Sequence, residues 1–405
     1  MNDTNALREM FLDFIIRGDL RLFNVKLSET EWQIIIKWCK EHRLTYLFIH
    51  KVKQSGTLYS SIHNSYLEQL ENKANRAPLR QLKIQANLLH LHRILSGHNI
   101  DYQVLKGSIL AFRYYPNSAM RRMRDIDIIV KPQSLSQACE LLLEHGYSFG
   151  GESQDIDYEA YIESEKHAPH LSHPDFNIVI EVHHRLCRPD LRQESLELSM
   201  LSDFWQESES VTVGNQELPC QTPEMLLAHI IHHSVRENAF NNGPVFIFDL
   251  YFLISNGTVC WEKFHAYCDY MDLHKEVAIA FSLLVYFYPD IKVGGALEMI
   301  PEAKLLDACK QLMLCDLDQK LYERLSSALQ TKSNKDRFTH LRKLLLPTKE
   351  RINQHLSMSS SRFYWLFLPV WWFFLFKLLI SQYWGRNKKT QTSNELKVLY
   401  RWLNK

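Results

Sequence analysis

The chain has 405 residues, with 47 lysine and arginine side chains against 46 aspartate and glutamate, a net charge of +1. So close a balance leaves no global positive field, which argues against a nucleic-acid binder. The eight cysteines form no Cys-x-x-Cys pair, so neither a zinc site nor a disulfide framework is indicated, and they fit a reducing cytosol.

The length suits two or three domains at roughly 150 residues each. Met1 to Asp19 carries Asp3, Glu9 and Asp13 and lacks an apolar core of signal-peptide length. Residues 1–98 read as a helical region. Ser28 with Glu31 makes a capping box for a helix from Glu29 to His42. Apolar residues recur at helical spacing from Arg80 to Leu95, and Gly97-His98-Asn99 stops that helix. His90 and His92 on it read as surface or core-edge residues rather than ligands.

Residues 99–190 read as an α/β unit. Tyr102 to Leu105 is a short strand that runs through Lys106-Gly107-Ser108 into an apolar helical stretch, Ile109 to Tyr115. A strand, a glycine turn and a helix start make an anion site, because free backbone N–H groups point out of the helix end. Gly107 lets the backbone approach a phosphate, Ser108 caps the helix, and Lys106 and Arg121 add charge. Asp125-Ile126-Asp127-Ile128-Ile129-Val130 alternates as a half-buried strand does, so Asp125 and Asp127 share a face. Paired carboxylates invite a hard divalent cation bound through oxygen; the plain alternative is a wet strand face that carries Asp twice. Ser134 to His145 is helical, Gly146 caps it, and a short strand follows at Tyr147 to Phe149. His170 lies in a loop that leads to Asn177–His183, a β-branched run in which Glu181 and His183 share a face. A carboxylate set among Ile and Val needs a partner.

These residues together resemble the nucleotidyltransferase superfamily of DNA polymerase β-like fold, and more closely a bacterial family of uncharacterised nucleotidyltransferases. Leu105-Lys106-Gly107, Tyr115-Pro116, Arg121 and Met123 before Asp125-Ile126-Asp127, and Glu181-Val182-His183 carry the resemblance. Arg122 departs from it where proline is common. The likeness runs from the N-terminal helices to about Pro347. It implies an α+β fold: a small mixed-sheet core flanked by N- and C-terminal helical regions. It also implies Mg²⁺-dependent transfer of an NMP from an NTP to an acceptor hydroxyl with release of pyrophosphate. Asp125, Asp127 and Glu181 would be the catalytic metal ligands for two Mg²⁺ ions, with Mn²⁺ as a substitute. Lys106, Gly107, Ser108 and Arg121 would bind the nucleotide. His170, His183, His229 and His233 are candidates to orient the acceptor. The acceptor itself is open among a sugar, a lipid-linked glycan, a peptide and a protein.

Residues 191–330 read as a helical domain in which Thr222-Pro223-Glu224 opens a helix. His229 and His233 share a face of that helix, one turn apart. With Asp249 they offer a metal phosphohydrolase as an alternative, and a catalytically inactive nucleotide-binding partner protein at the membrane is another. Residues 331–361 form a basic linker. Residues 362–385 are apolar and rich in Trp and Phe, with Lys377 inside and basic residues after. That segment fits a membrane interface, a span, or a helix packed on the protein itself. Residues 386–405 read as a basic tail. The expected location is cytoplasmic, peripheral on the inner face of the membrane.

Overall fold

The computed structural model describes residues 3–56, 62–150, 156–187, 198–200, 202–295, 299–315, 368–369, 372 and 386–404. The basic linker lies outside the described residues, and so does the apolar segment apart from Leu368, Pro369 and Trp372. Among the described residues no helix is long and apolar enough to cross a membrane.

The N-terminal helices are α1 (Asp3–Arg17), α2 (Glu29–Glu41), α3 (Thr45–Gln54), α4 (Asn64–Ala74) and α5 (Ala77–Gly97). Ser28 and Glu31 form the expected capping box at the start of α2, each side chain meeting the other's backbone N–H. His90 and His92 on α5 face tyrosine hydroxyls, those of Tyr147 at 3.1 Å and Tyr102 at 2.8 Å.

The fold is α+β, built on one seven-stranded mixed sheet in the order β3-β4-β5-β2-β1-β7-β6. The strands are β1 (Tyr102–Val104), β2 (Asp125–Val130), β3 (Ser148–Phe149), β4 (Leu171–Ser172), β5 (Val179–His183), β6 (Glu209–Val213) and β7 (Gln216–Cys220). β2 is central, antiparallel to β1 and parallel to β5. Ile126, Ile128, Ile180 and Val182 occupy the alternate positions of β2 and β5 and are fully buried. The hairpin β6–β7 adds to the sheet through β7 beside β1, although it comes from a stretch that reads as helical domain.

Further helices are α6 (Lys106–Ile109), α7 (Leu135–Glu144), α8 (Tyr158–Ser164), α9 (Ser202–Gln206), α10 (Pro223–Ile231), α11 (Val245–Ser255), α12 (Trp261–Met271), α13 (His274–Phe287), α14 (Ala303–Met313) and α15 (Arg386–Leu403). α6 runs on into a wider π-type turn over Leu110–Tyr114, and α10 into another over His232–Glu237. Such bulges often sit at functional sites. Thr222 caps α10 through the Met225 N–H, with Pro223 at the first helical position. Within the stretch read as a basic tail lies the helix α15, which packs on α14 and buries Leu396, Leu399 and Leu403.

Candidate active site

The register of β2 against β5 decides the site. Asp127 pairs with Glu181 and Ile129 with His183, while Asp125 pairs with Val179. Laterally paired residues in a sheet point to the same face, and so do residues two apart along a strand. Asp125, Asp127, Glu181 and His183 therefore share one face. His183 Nε2 lies 2.9 Å from Asp127 Oδ1 and 3.3 Å from Glu181 Oε2. Asp127, Glu181 and His183 each present a ligand atom, all within 4.8 Å of one another. Asp125 stands beside this group and within electrostatic reach of both carboxylates.

Crowding shows in the charges. Burial, together with Asp127 and Glu181, pushes the Asp125 carboxyl up to about 6. Burial works the same way on Asp127, but Lys106 and a hydrogen bond from His183 override it and hold that carboxyl well below its usual range. Glu181 is likewise held down against burial, by hydrogen bonds from His170 and His183. One carboxylate kept difficult to ionise beside two kept ionised is a site short of positive charge. An all-oxygen carboxylate set with an adjacent imidazole fits a hard divalent cation.

The family model described as uncharacterised nucleotidyltransferase matches residues 28–289. The chain belongs to this family. Nucleotidyl transfer is the general activity that membership supports. The match opens at the N-cap of α2 and closes at Pro289 just after α13, short of the Pro347 expected from the sequence. It includes every residue of the site described above. Curated proteins gave no match.

Upstream of β2 the nucleotidyltransferase departs from expectation. Lys106, expected beside the nucleotide, meets a carboxylate of the site: its Nζ lies 2.9 Å from Asp127 Oδ1, and the residue is 7% exposed. Its φ of +44° places it in the left-handed region. That conformation costs a non-glycine residue about 1–3 kcal/mol, and the ion pair helps to hold it. Burial would lower the ammonium's pKa, yet Asp127 and Glu181 raise it above the ordinary lysine range. Ser108 does not cap α6. The helix begins at Lys106 with Leu105 as N-cap, so Ser108 sits inside it, buried, with Oγ 4.0 Å from Met123 Sδ. Gly107 makes room for the Arg121 and Met123 side chains. A Cβ there would collide with the Arg121 guanidinium and stand 3.0 Å from Met123 Sδ. Arg121 is in turn committed to Asp249 of α11, through Nε to Oδ1 at 2.8 Å and Nη2 to Oδ2 at 2.9 Å. The Tyr115 hydroxyl donates to Asp249 Oδ1 at 2.7 Å. In this arrangement the Arg121 fork is spent on a carboxylate inside the protein.

The histidines fall into two groups. His170 Nε2 is 3.2 Å from Glu181 Oε1, and His167 Nε2 is 3.9 Å from Glu181 Oε2. The three residues form a second set with ligand atoms within 4.8 Å. His167 did not stand out in the sequence reading; its signal is a His-x-x-His pair ahead of Glu181-x-His183. Burial pulls its imidazole down to about 4. His229 and His233 belong to a different, buried network. The His229 ring faces Gln221, and His233 Nδ1 is 2.7 Å from Glu237 Oε2, which also takes Lys166 Nζ at 3.0 Å. The two rings are 6.3 Å apart, and both Asp249 oxygens are occupied elsewhere. The phosphohydrolase constellation is therefore not assembled. Lys106 is among the charges that reach both histidines, after burial, which lowers both imidazoles.

Proposed function

We propose that the protein is a divalent-metal-dependent nucleotidyltransferase that moves an NMP from an NTP to an acceptor hydroxyl. One observation carries this reading: the β2–β5 register that sets Asp127 beside Glu181, with Asp125 on the same face. Asp125, Asp127 and Glu181 would hold Mg²⁺, or Mn²⁺ in its place, with His183 beside them. A cation there supplies charge for the attacking and leaving oxygens of an in-line displacement.

In the proposed reaction the acceptor oxygen forms a bond to the α-phosphorus, the bond from that phosphorus to the bridging oxygen of pyrophosphate breaks, and the acceptor proton is taken up by Glu181. His183 and His170 flank that carboxylate from two sides and fix its orientation. Lys106 steadies Asp127 and keeps a positive charge at the turn where α6 begins. The buried Lys166–Glu237–His233 network is a neighbouring charge cluster, and Glu237 acts electrostatically on Lys106. The apolar segment 362–385 would hold the enzyme at the inner face of the membrane without deciding what the acceptor is.

The test is transfer of label from α-³²P-NTPs, each with Mg²⁺, into a lysate-plus-membrane fraction. Asp127→Asn should reduce labelling to background, since a charged ligand is exchanged for a neutral one of the same shape; Lys106 loses its ion-pair partner but keeps Glu181 within electrostatic reach, and circular dichroism checks that the variant folds. Equal labelling by wild type and variant would reject the assignment.

A further inference from the structure

Outside the carboxylate face lies a cleft of about 700 Å³, bounded by the end of α4, the start of α5 and the loops that enter β2 and β5. Small-molecule sites have this size. Lys73, Arg76, Arg80, Lys83 and Arg122 line it, and no acidic residue does. Among the described residues Lys73, Arg76, Lys83 and Arg122 form no ion pair. Arg80 is aimed by two backbone carbonyls, Met123 O at 3.1 Å and Arg124 O at 2.8 Å. Its charge still reaches Asp125. Arg122 is half-buried against Arg80 and Arg124, and Lys73 against Arg122. Like charges gathered in a partly desolvated cleft repel one another unless an anion sits between them. The rim is apolar on one side, where Leu79 is 61% exposed and Phe176 lies close by.

The cleft's place in the sheet says which substrate it serves. The order β5-β2-β1 puts the Lys106–Ser108 turn, which follows β1, on one side of the carboxylates. Asn177, which lines the cleft, leads into β5 on the other side, and Arg122 stands three residues before Asp125. We propose that this cleft binds the acceptor, and that the acceptor is a small molecule carrying phosphate. Its phosphate lies among Lys73, Arg80 and Arg122, with Arg76 and Lys83 at the mouth. Its apolar part rests on Leu79 and Phe176, and its hydroxyl reaches towards Glu181. The assignment to the acceptor rests on the nucleotidyltransferase reading; the binding of phosphate does not.

Calorimetric titration of the full chain at low salt tests it, with inorganic phosphate and glucose 6-phosphate as probes and EDTA present. Both should bind, glucose itself should not, and affinity should fall as salt is raised. Arg76→Ala/Lys83→Ala alters two exposed side chains and should leave the fold intact while weakening both probes about tenfold or more. Lys73→Gln/Arg122→Gln should weaken them further. Equal affinity in wild type and both variants, or no binding by wild type, overturns the proposal. A Mg²⁺ complex of a non-hydrolysable NTP should leave probe binding unchanged; competition between the two would give the cleft to the donor and overturn the acceptor assignment. Asp127→Asn should bind the probes as wild type does. Probe binding without transfer from any NTP would sink the nucleotidyltransferase reading and leave the phosphate cleft standing.

Discussion

Replacing Asp125 by Asn should make the metal-free protein more stable, although it removes a group assigned to the active site. The reason is burial, joined by repulsion from Asp127 and Glu181, which lifts this carboxyl from an ordinary 3.8 to about 6 in the folded chain. Between those values the folded state binds the proton and the unfolded state has already lost it. Stability must therefore fall as pH rises through the window from about 4 to about 6 and stay reduced above it. At 1.36 kcal/mol per tenfold change in proton affinity, the whole penalty at pH 7.5 is about 3 kcal/mol. An asparagine, which never ionises, escapes it. Urea unfolding in EDTA should put Asp125→Asn above wild type by about 1–3 kcal/mol at pH 7.5, with the curves converging near pH 4. Saturating Mg²⁺ should narrow the gap by stabilising wild type more than the variant, since a ligand stabilises the state that binds it. A variant no more stable than wild type at pH 7.5, or a gap that stays constant from pH 4 to 8, would refute the argument that three carboxylates are crowded here.

Other perturbations probe the surrounding structure. Glu181→Gln should lose most transfer while binding NTP, judged by filter binding alongside turnover, because a ligand and proton acceptor is lost while the remaining amide oxygen still accepts from one of the two histidines. Asp249→Ala should destabilise by about 3–5 kcal/mol in urea unfolding, because Arg121 is left as a buried, unpaired charge; Arg121→Met/Asp249→Leu should recover much of that loss. Gly107→Ala should cost about 1–3 kcal/mol by the same measurement, because the added methyl meets the Arg121 guanidinium.

The parts of the site that were legible in the sequence are those set by local periodicity. Alternation along Asp125–Val130 fixed which way two carboxylates face, and β-branched neighbours marked Glu181 as a strand residue worth explaining. Their meeting was not local. The Asp127–Glu181 register spans 54 positions, and only the resemblance to known nucleotidyltransferases anticipated it. The hairpin β6–β7 did carry a local signal: Val211 and Val213 alternate with polar residues ahead of Gly214-Asn215. Helical spacing on either side of it outweighed that pattern.

What three of the expected nucleotide-binding residues touch in the fold was hidden for one physical reason. Ser108, Gly107 and Arg121 were each given a role from what such a residue can do beside a phosphate. None of the three residue types says what else might claim it. Ser108 can cap only if the helix starts at Ile109, three residues later than α6 does, and a glycine frees space without saying for what. An arginine fork fits a carboxylate as well as it fits a phosphate. Asp249, 128 positions away, is what claims Arg121. The same reasoning explains why the basic cleft stayed unread: Lys73, Arg80 and Arg122 come from α4, α5 and the approach to β2, and in a chain of net charge +1 their convergence has no trace in composition. What distinguishes them from Arg121 is that among the described residues none of them forms an ion pair, and the proposal of a ligand in the cleft rests on that difference.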